Sequence, residues 1–191
     1  MRSREPAHPA RQGGQVMTTY DFTLTFELPD PQPDAEKFLD ALFEAGCDDA
    51  TVGMGKHGLI ALEFSREAKS AEEAIQLAIE AVKRAIPKSQ LVEAKPDLVN
   101  LSDIAELVGV SRQNMRKYAS GEIQCVAAPF PPPSFSGAPS LWHLYEVANW
   151  LGRHTELRAP REIVEASRVL YSLNVEAQRF RIASLSKIRA A

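Results

Sequence analysis

Arg112, Gln113, Arg116, Lys117 and Ser120 lie within LSDIAELVGVSRQNMRKYAS, the stretch from Leu101 to Ser120. Arginine can grip a guanine edge with two hydrogen bonds, glutamine can do the same for adenine, and lysine neutralises phosphate. Their spacing of i, i+1, i+4, i+5 and i+8 puts all five on one face of a helix, and three of them are basic. Ser111, which can cap that helix, and Asn114 in its first turn complete the candidate contact set. A first helix is expected just before it. Ser102 is placed to cap it, Asp103 and Glu106 sit near its positive end, and Ile104, Leu107 and Val108 form its apolar face. Gly109 suits the left-handed residue that ends such a helix. Ala105 is small where the helices approach, and Met115 and Tyr118 can pack back on Ile104, Val108 and Val110. Two helices joined this way place the second in the major groove of double-stranded DNA. An ordinary helical hairpin with a solvated basic face is the plainer alternative.

From Ala127 the chain runs APFPPPSFSGAPSLWHLYEVANWL. Its prolines forbid helix, Ser136 and Gly137 can turn a short hairpin, and Leu141 to Leu151 resume an amphipathic helical pattern. Trp142, Tyr145 and Trp150 interleave with Leu141, Leu144, Val147 and Leu151, which makes them core residues. Residues 99–151 resemble the winged helix-turn-helix of the MerR and phage excisionase families. The resemblance rests on LSDIAELVGVSRQNMRKYASGE, on Phe130 between Pro129 and Pro131, and on Trp142 after the wing. It implies that Arg112, Gln113, Arg116 and Lys117 face the groove and that Ser136, Gly137 and His143 lie in or beside the wing. The chain departs from it in one respect: Pro133 to Leu141 holds no Lys or Arg, so affinity would lean on the second helix and on dimerisation. No cysteine follows Cys125, so the cysteine-cluster metal sensing known in the MerR family is not expected.

The N-terminal half follows a different pattern. Tyr20, Phe22, Leu24, Phe26 and Leu28 alternate with Asp21, Thr23, Thr25 and Glu27, as in a strand buried on one face. A helix follows, capped by Asp34, striped by Phe38, Leu39, Leu42 and Phe43, and ended by Gly46. Strands at Ala50 to Met54 and Leu59 to Ser65 flank a GKHG turn. A second helix runs from about Ser70 to Ala85, with Ser70 and Glu73 as a capping box and Ala74, Ile75, Leu77, Ala78, Ile79 and Val82 as its apolar side. Ser89 to Ala94 is the last strand. The order predicts a ferredoxin-like split βαβ sandwich over residues 17–96, within an α+β chain. That arrangement hosts many activities and names none. Its open sheet face could take a dimer partner, a second protein or a small effector.

Charge is distributed unevenly along the 191 residues. Met17 to Leu98 carries 8 Lys and Arg against 16 Asp and Glu, whereas Val99 to Ala191 carries 11 against 8. The basic excess coincides with the candidate groove-reading half, and phosphate would repel the acidic half, which is expected to face away from DNA. Residues 1–16, rich in Pro, Gly and Arg, are expected to be a disordered, dispensable leader. No apolar run reaches the roughly 20 residues of a membrane span, and two cysteines, Cys47 and Cys125, indicate no disulfide scaffold, so a cytoplasmic protein is expected. After residues 97–158, the proposed winged unit, the segment 159–191 offers Ile163, Ala166, Leu170, Leu173, Ala177 and Phe180 at alternating spacings of three and four. That is either a dimer seam or, if Ser172 and Asn174 break it, two helices packed on the winged unit. Arg179, Arg181, Lys187 and Arg189 form a basic tail.

These features point to a homodimeric, sequence-specific DNA-binding regulator without catalytic site, metal or cofactor. Asp48 and Asp49, adjacent on a strand, would face opposite ways and make a poor acid/base pair. The alternatives are an excisionase-like recombination factor and a non-catalytic antitoxin or adaptor whose N-terminal domain binds a protein partner.

Overall fold

The structure, a computed structural model, describes residues 16–29, 35–53, 57–123, 126 and 128–188. The leader up to Gln15, the Asp34 cap, Met54, the Gly55–Lys56 part of the first turn, Cys125 and Arg189 lie outside the described residues, as does the side chain of Lys187.

The chain is α+β. Alternating side chains build β1 (Thr18–Glu27), which buries Tyr20, Phe22, Leu24 and Phe26 and leaves Asp21 and Glu27 outside. It lies inside an antiparallel sheet with β2 (Ala50–Gly53), β3 (Leu59–Ala68) and β4 (Gln90–Lys95), in the order β2-β3-β1-β4. Leu24 sits opposite Leu62 of β3 and Ala94 of β4, so a slip of one residue would turn the core face to water. On β4 the pairing passes from Thr25 and Glu93 to Phe26 and Leu91, which leaves Val92 as a bulge.

Helices cover the Tyr20 face. A 3-10 turn, Ala35–Phe38, leads into α1 (Leu39–Glu44), which is too short to bury the whole expected stripe. Leu42 and, in part, Phe38 enter the core, while Leu39 and Phe43 are exposed one helical turn apart. In α2 (Ala71–Ala85) the Ser70 Oγ accepts the N–H of Glu73 at 3.2 Å. The Glu73 carboxylate takes the N–H of Lys69 rather than that of Ser70, so the expected capping box is displaced by one residue. Leu77 is half exposed, because the buried stripe is centred on Ala71, Ala74, Ile75, Ala78 and Val82 and Leu77 lies well to one side of it.

The larger difference is at the C-terminus. Arg161–Ile188, here α6, is one unbroken helix of 28 residues, about 42 Å long, and neither Ser172 nor Asn174 interrupts it. Ala166 and Leu170 join the sheet's own core, with Val169 and Leu173 packed beside them, while Ile163 reaches the second apolar cluster. Most of the expected seam is therefore used inside the chain, and Phe180 stays exposed. Tyr20 Oη donates to Glu165 Oε2 at 2.9 Å, and Arg161 Nε donates to Glu165 Oε1 at 2.7 Å. The hydrogen bonds from Arg161 and then Tyr20 hold the Glu165 carboxyl below its ordinary range.

Asn174 does a backbone's work. Its Oδ1 accepts the N–H of Ala94 at 2.8 Å, and its Nδ2 donates to the Ala94 carbonyl at 2.8 Å and to Asp97 Oδ2 at 2.7 Å. The carboxamide thus pairs with the outer edge of β4 as another strand would and closes an edge open to intermolecular pairing. Asn174→Ala should cost about 1–3 kcal/mol in urea unfolding, because it strands the Ala94 groups and one Asp97 oxygen. Ser172→Ala, on the exposed side, should stay within about 0.5 kcal/mol of the parent. Equal effects of the two would remove this role.

Candidate nucleic-acid interface

The helical pair forms as α3 (Leu101–Leu107) and α4 (Arg112–Ala119). Asn100, not Ser102, caps α3: its Oδ1 accepts from Ser102 N at 2.7 Å and Asp103 N at 3.3 Å, and Asp103 Oδ2 takes the N–H of Asn100 at 2.9 Å. Asn100 holds the extended backbone a cap requires, whereas Ser102 is already inside the helix. Gly109 has φ +70°, which lets Val110 N–H reach back to the Ala105 carbonyl at 2.9 Å. Ser111 caps α4, its Oγ accepting from Asn114 N at 3.1 Å.

Beneath the pair lies a core separate from that of the sheet. Ile104, Ala105 and Met115 are buried with Val99, Trp142, Leu144, Val147, Trp150 and Leu151, and Leu107, Val108, Val110 and Tyr118 pack at its margin. Aromatic edges lock it: Phe130 meets Trp150 at 5.0 Å and Trp142 at 6.1 Å between ring centres, and Tyr118 meets Trp150 at 6.2 Å. The indole N–H of Trp142 donates to the Pro131 carbonyl at 3.0 Å, which pins the proline segment.

With Met115 turned inward, Arg112, Gln113, Arg116, Lys117 and Ser120 are all exposed on the opposite side of α4, and Asn114 is half-buried. Among the described residues, no carboxylate forms an ion pair with Arg112, Arg116 or Lys117. Two of the serines are occupied: Ser111 by its cap, and Ser120, whose Oγ donates to Glu122 Oε1 at 2.7 Å.

After the proline segment, Phe135 and Leu141 exchange both backbone hydrogen bonds, at 3.2 and 2.9 Å, around a loop that leaves Ser136 and Gly137 exposed. Ser140 Oγ donates to the Gly137 carbonyl at 3.1 Å and tightens it. The helix expected from Leu141 begins later. Trp142–His143 form β6, paired with β5 (Leu98–Val99), and α5 runs Leu144–His154. The cause is Asp97, whose carbonyl accepts Leu144 N at 2.7 Å and so keeps the preceding residues extended.

His143 follows the Phe135–Leu141 loop and is held by two partners. Its Nδ1 lies 2.7 Å from Asp97 Oδ1, and its ring stacks on Tyr171 of α6 at 3.9 Å. A carboxylate only accepts, so Nδ1 carries the hydrogen. Tyr171 Oη donates to Glu146 Oε1 at 3.3 Å; burial first, and then this carboxylate, push the phenol upward. Asp97, Tyr171 and Asn174 were not anticipated. The one signal was a carboxamide inside an apolar stripe, which implies a specific buried partner.

Comparison of the chain with protein-family models, curated proteins and solved structures finds no match. Met115→Ala should cost about 2–5 kcal/mol in chemical unfolding, since it empties a fully buried site under α4. Arg116→Ala on the exposed face should stay within about 0.5 kcal/mol. A large loss from Arg116→Ala would mean that its side chain supports the fold rather than remaining available for contacts.

Proposed function

We propose that this chain is a sequence-specific DNA-binding regulator that reads the major groove with α4. The observation that carries this reading is the exposed cationic side of α4, free of ion pairs among the described residues and rigidly backed by Met115. In this reading α3, α4, the Phe135–Leu141 loop and α5 are a winged helix-turn-helix, and the sheet with α1 and α2 is a ferredoxin-like split βαβ unit. Arg112 and Arg116 contact guanine edges, Gln113 an adenine edge, and Lys117 phosphate. Ser136 and Gly137 offer backbone contacts from the wing, and His143 drops out of the contact set because Asp97 and Tyr171 hold it. A homodimer on two half-sites fits so small a unit, and Phe180 and Leu185, exposed on α6, are available to it.

A second reading, docking of a protein partner by the N-terminal half, draws on the exposed pair Leu39 and Phe43 on an acidic unit. Selection of bound duplexes from a random pool separates the two, because only the first returns an enriched sequence.

Arg112→Ala or Arg116→Ala should weaken the selected site by about 1–3 kcal/mol and relax base choice, while Lys117→Ala should weaken all sequences alike. Equal effects on selected and random duplexes would exclude base reading. Log affinity should fall linearly with log salt as released counterions are lost to bulk, and a flat response would exclude phosphate contact.

A further inference from the structure

A cavity of about 770 Å³ lies on the other side of the molecule's junction from the buried cores. Its floor is the open face of the sheet, where Thr25, Gly53 and Ala61 present little bulk. One wall is α6, through Tyr171, Val175, Gln178 and Arg181; the other is Asp97, Leu98, His143 and the loop residue Phe135. The volume is within the range of small-molecule sites, which favour such junctions. Phe135 is 57% exposed and Leu98 39%, so apolar surface stands uncovered at its rim.

The charges on the wall sort into matched and unmatched. Lys95 Nζ lies 3.0 Å from Glu93 Oε2. Asp97 is held by His143 on one oxygen and Asn174 on the other. The lining carries two acids, Glu93 and Asp97, and two bases, Lys95 and Arg181, and among the described residues Arg181 has no carboxylate partner, so its guanidinium stands without an ion pair on the wall. We propose that this cavity binds a small organic anion, its apolar body against Phe135, Leu98 and the sheet and its carboxylate, sulfonate or phosphate on Arg181. A guanidinium matches such a group with two parallel hydrogen bonds. The proposal does not depend on the duplex-binding reading, since none of these residues lies on α4.

The probes are anilinonaphthalene sulfonate, an aromatic anion, and N-phenylnaphthylamine, its uncharged counterpart, titrated by fluorescence into the full chain. A single sulfonate site is expected, with the amine bound about tenfold more weakly or worse. Gly53→Phe places a ring in the cavity from a position where a Cβ would meet only Ala61 O at 3.7 Å and Ala61 Cβ at 3.8 Å, both ordinary contacts. It should weaken sulfonate binding by about tenfold or more. Arg181→Glu, on the exposed surface of α6, should weaken the sulfonate alone and leave the amine unchanged. Thermal melts report whether each variant folds, and if Gly53→Phe does not, Arg181→Glu decides. Equal affinity for the two probes, or sulfonate binding that survives substitution, overturns the proposal.

Discussion

Between the edge of β4 and the linker that follows it, the carboxamide of Asn174 makes hydrogen bonds to three groups that no other described side chain supplies. The arrangement admits one orientation of the amide. With oxygen and nitrogen exchanged, an N–H would face the N–H of Ala94 and a carbonyl would face both another carbonyl and a carboxylate. Through Asp97 the same network extends to His143, held by its carboxylate, and to the N–H of Leu144, held by its backbone carbonyl, so one buried residue ties together the end of β6, the start of α5 and the rotation of α6. Leu170 and Ala166 pack α6 into the sheet core, a contact without direction. The polar contacts set the register, because an unmet buried carboxylate or strand edge is costly in any other position.

That register separates two tasks. The sheet core with α6 buries Leu170 completely, while the cluster around Met115 and the tryptophans stands on its own residues. The α4 surface therefore depends on a small local core rather than on the sheet, and its exposed cations owe their freedom to the absence of acidic neighbours along α4. The acidic residues concentrate in the other half of the chain, where they would reinforce the orientation that the proposed duplex contact needs.

Local chemistry was legible wherever one residue type has one physical outlet. Gly109 takes the left-handed turn, Ser111 and Ser70 cap their helices, and Met115 opposes the exposed basic positions, all at the places the spacing indicates. Where two neighbours could do the same work, the sequence was ambiguous. Asn100 and Ser102 can both cap, and only the extended backbone at Asn100 selects it. Leu77 stands at the margin of an apolar stripe, and only the rotation of α2 on the sheet leaves it half exposed.

By itself the sequence determined the antiparallel strands, the helical pair and the sidedness of α4, since period-two and period-three-to-four burial depend only on neighbours along the chain. It could not determine the partner of the C-terminal apolar stripe. A stripe looks alike whether it meets a second copy, a neighbouring helix or its own sheet, and nothing in residues 159–191 says that a strand edge some 80 positions earlier awaits Asn174. Nor could it say that His143 would turn to Asp97, because that pairing exists only once β5 and β6, some 45 positions apart, come together. Those choices belong to tertiary structure, where contacts between residues distant in the chain decide which of several locally equal outlets satisfies the buried groups of Asp97 and the β4 edge.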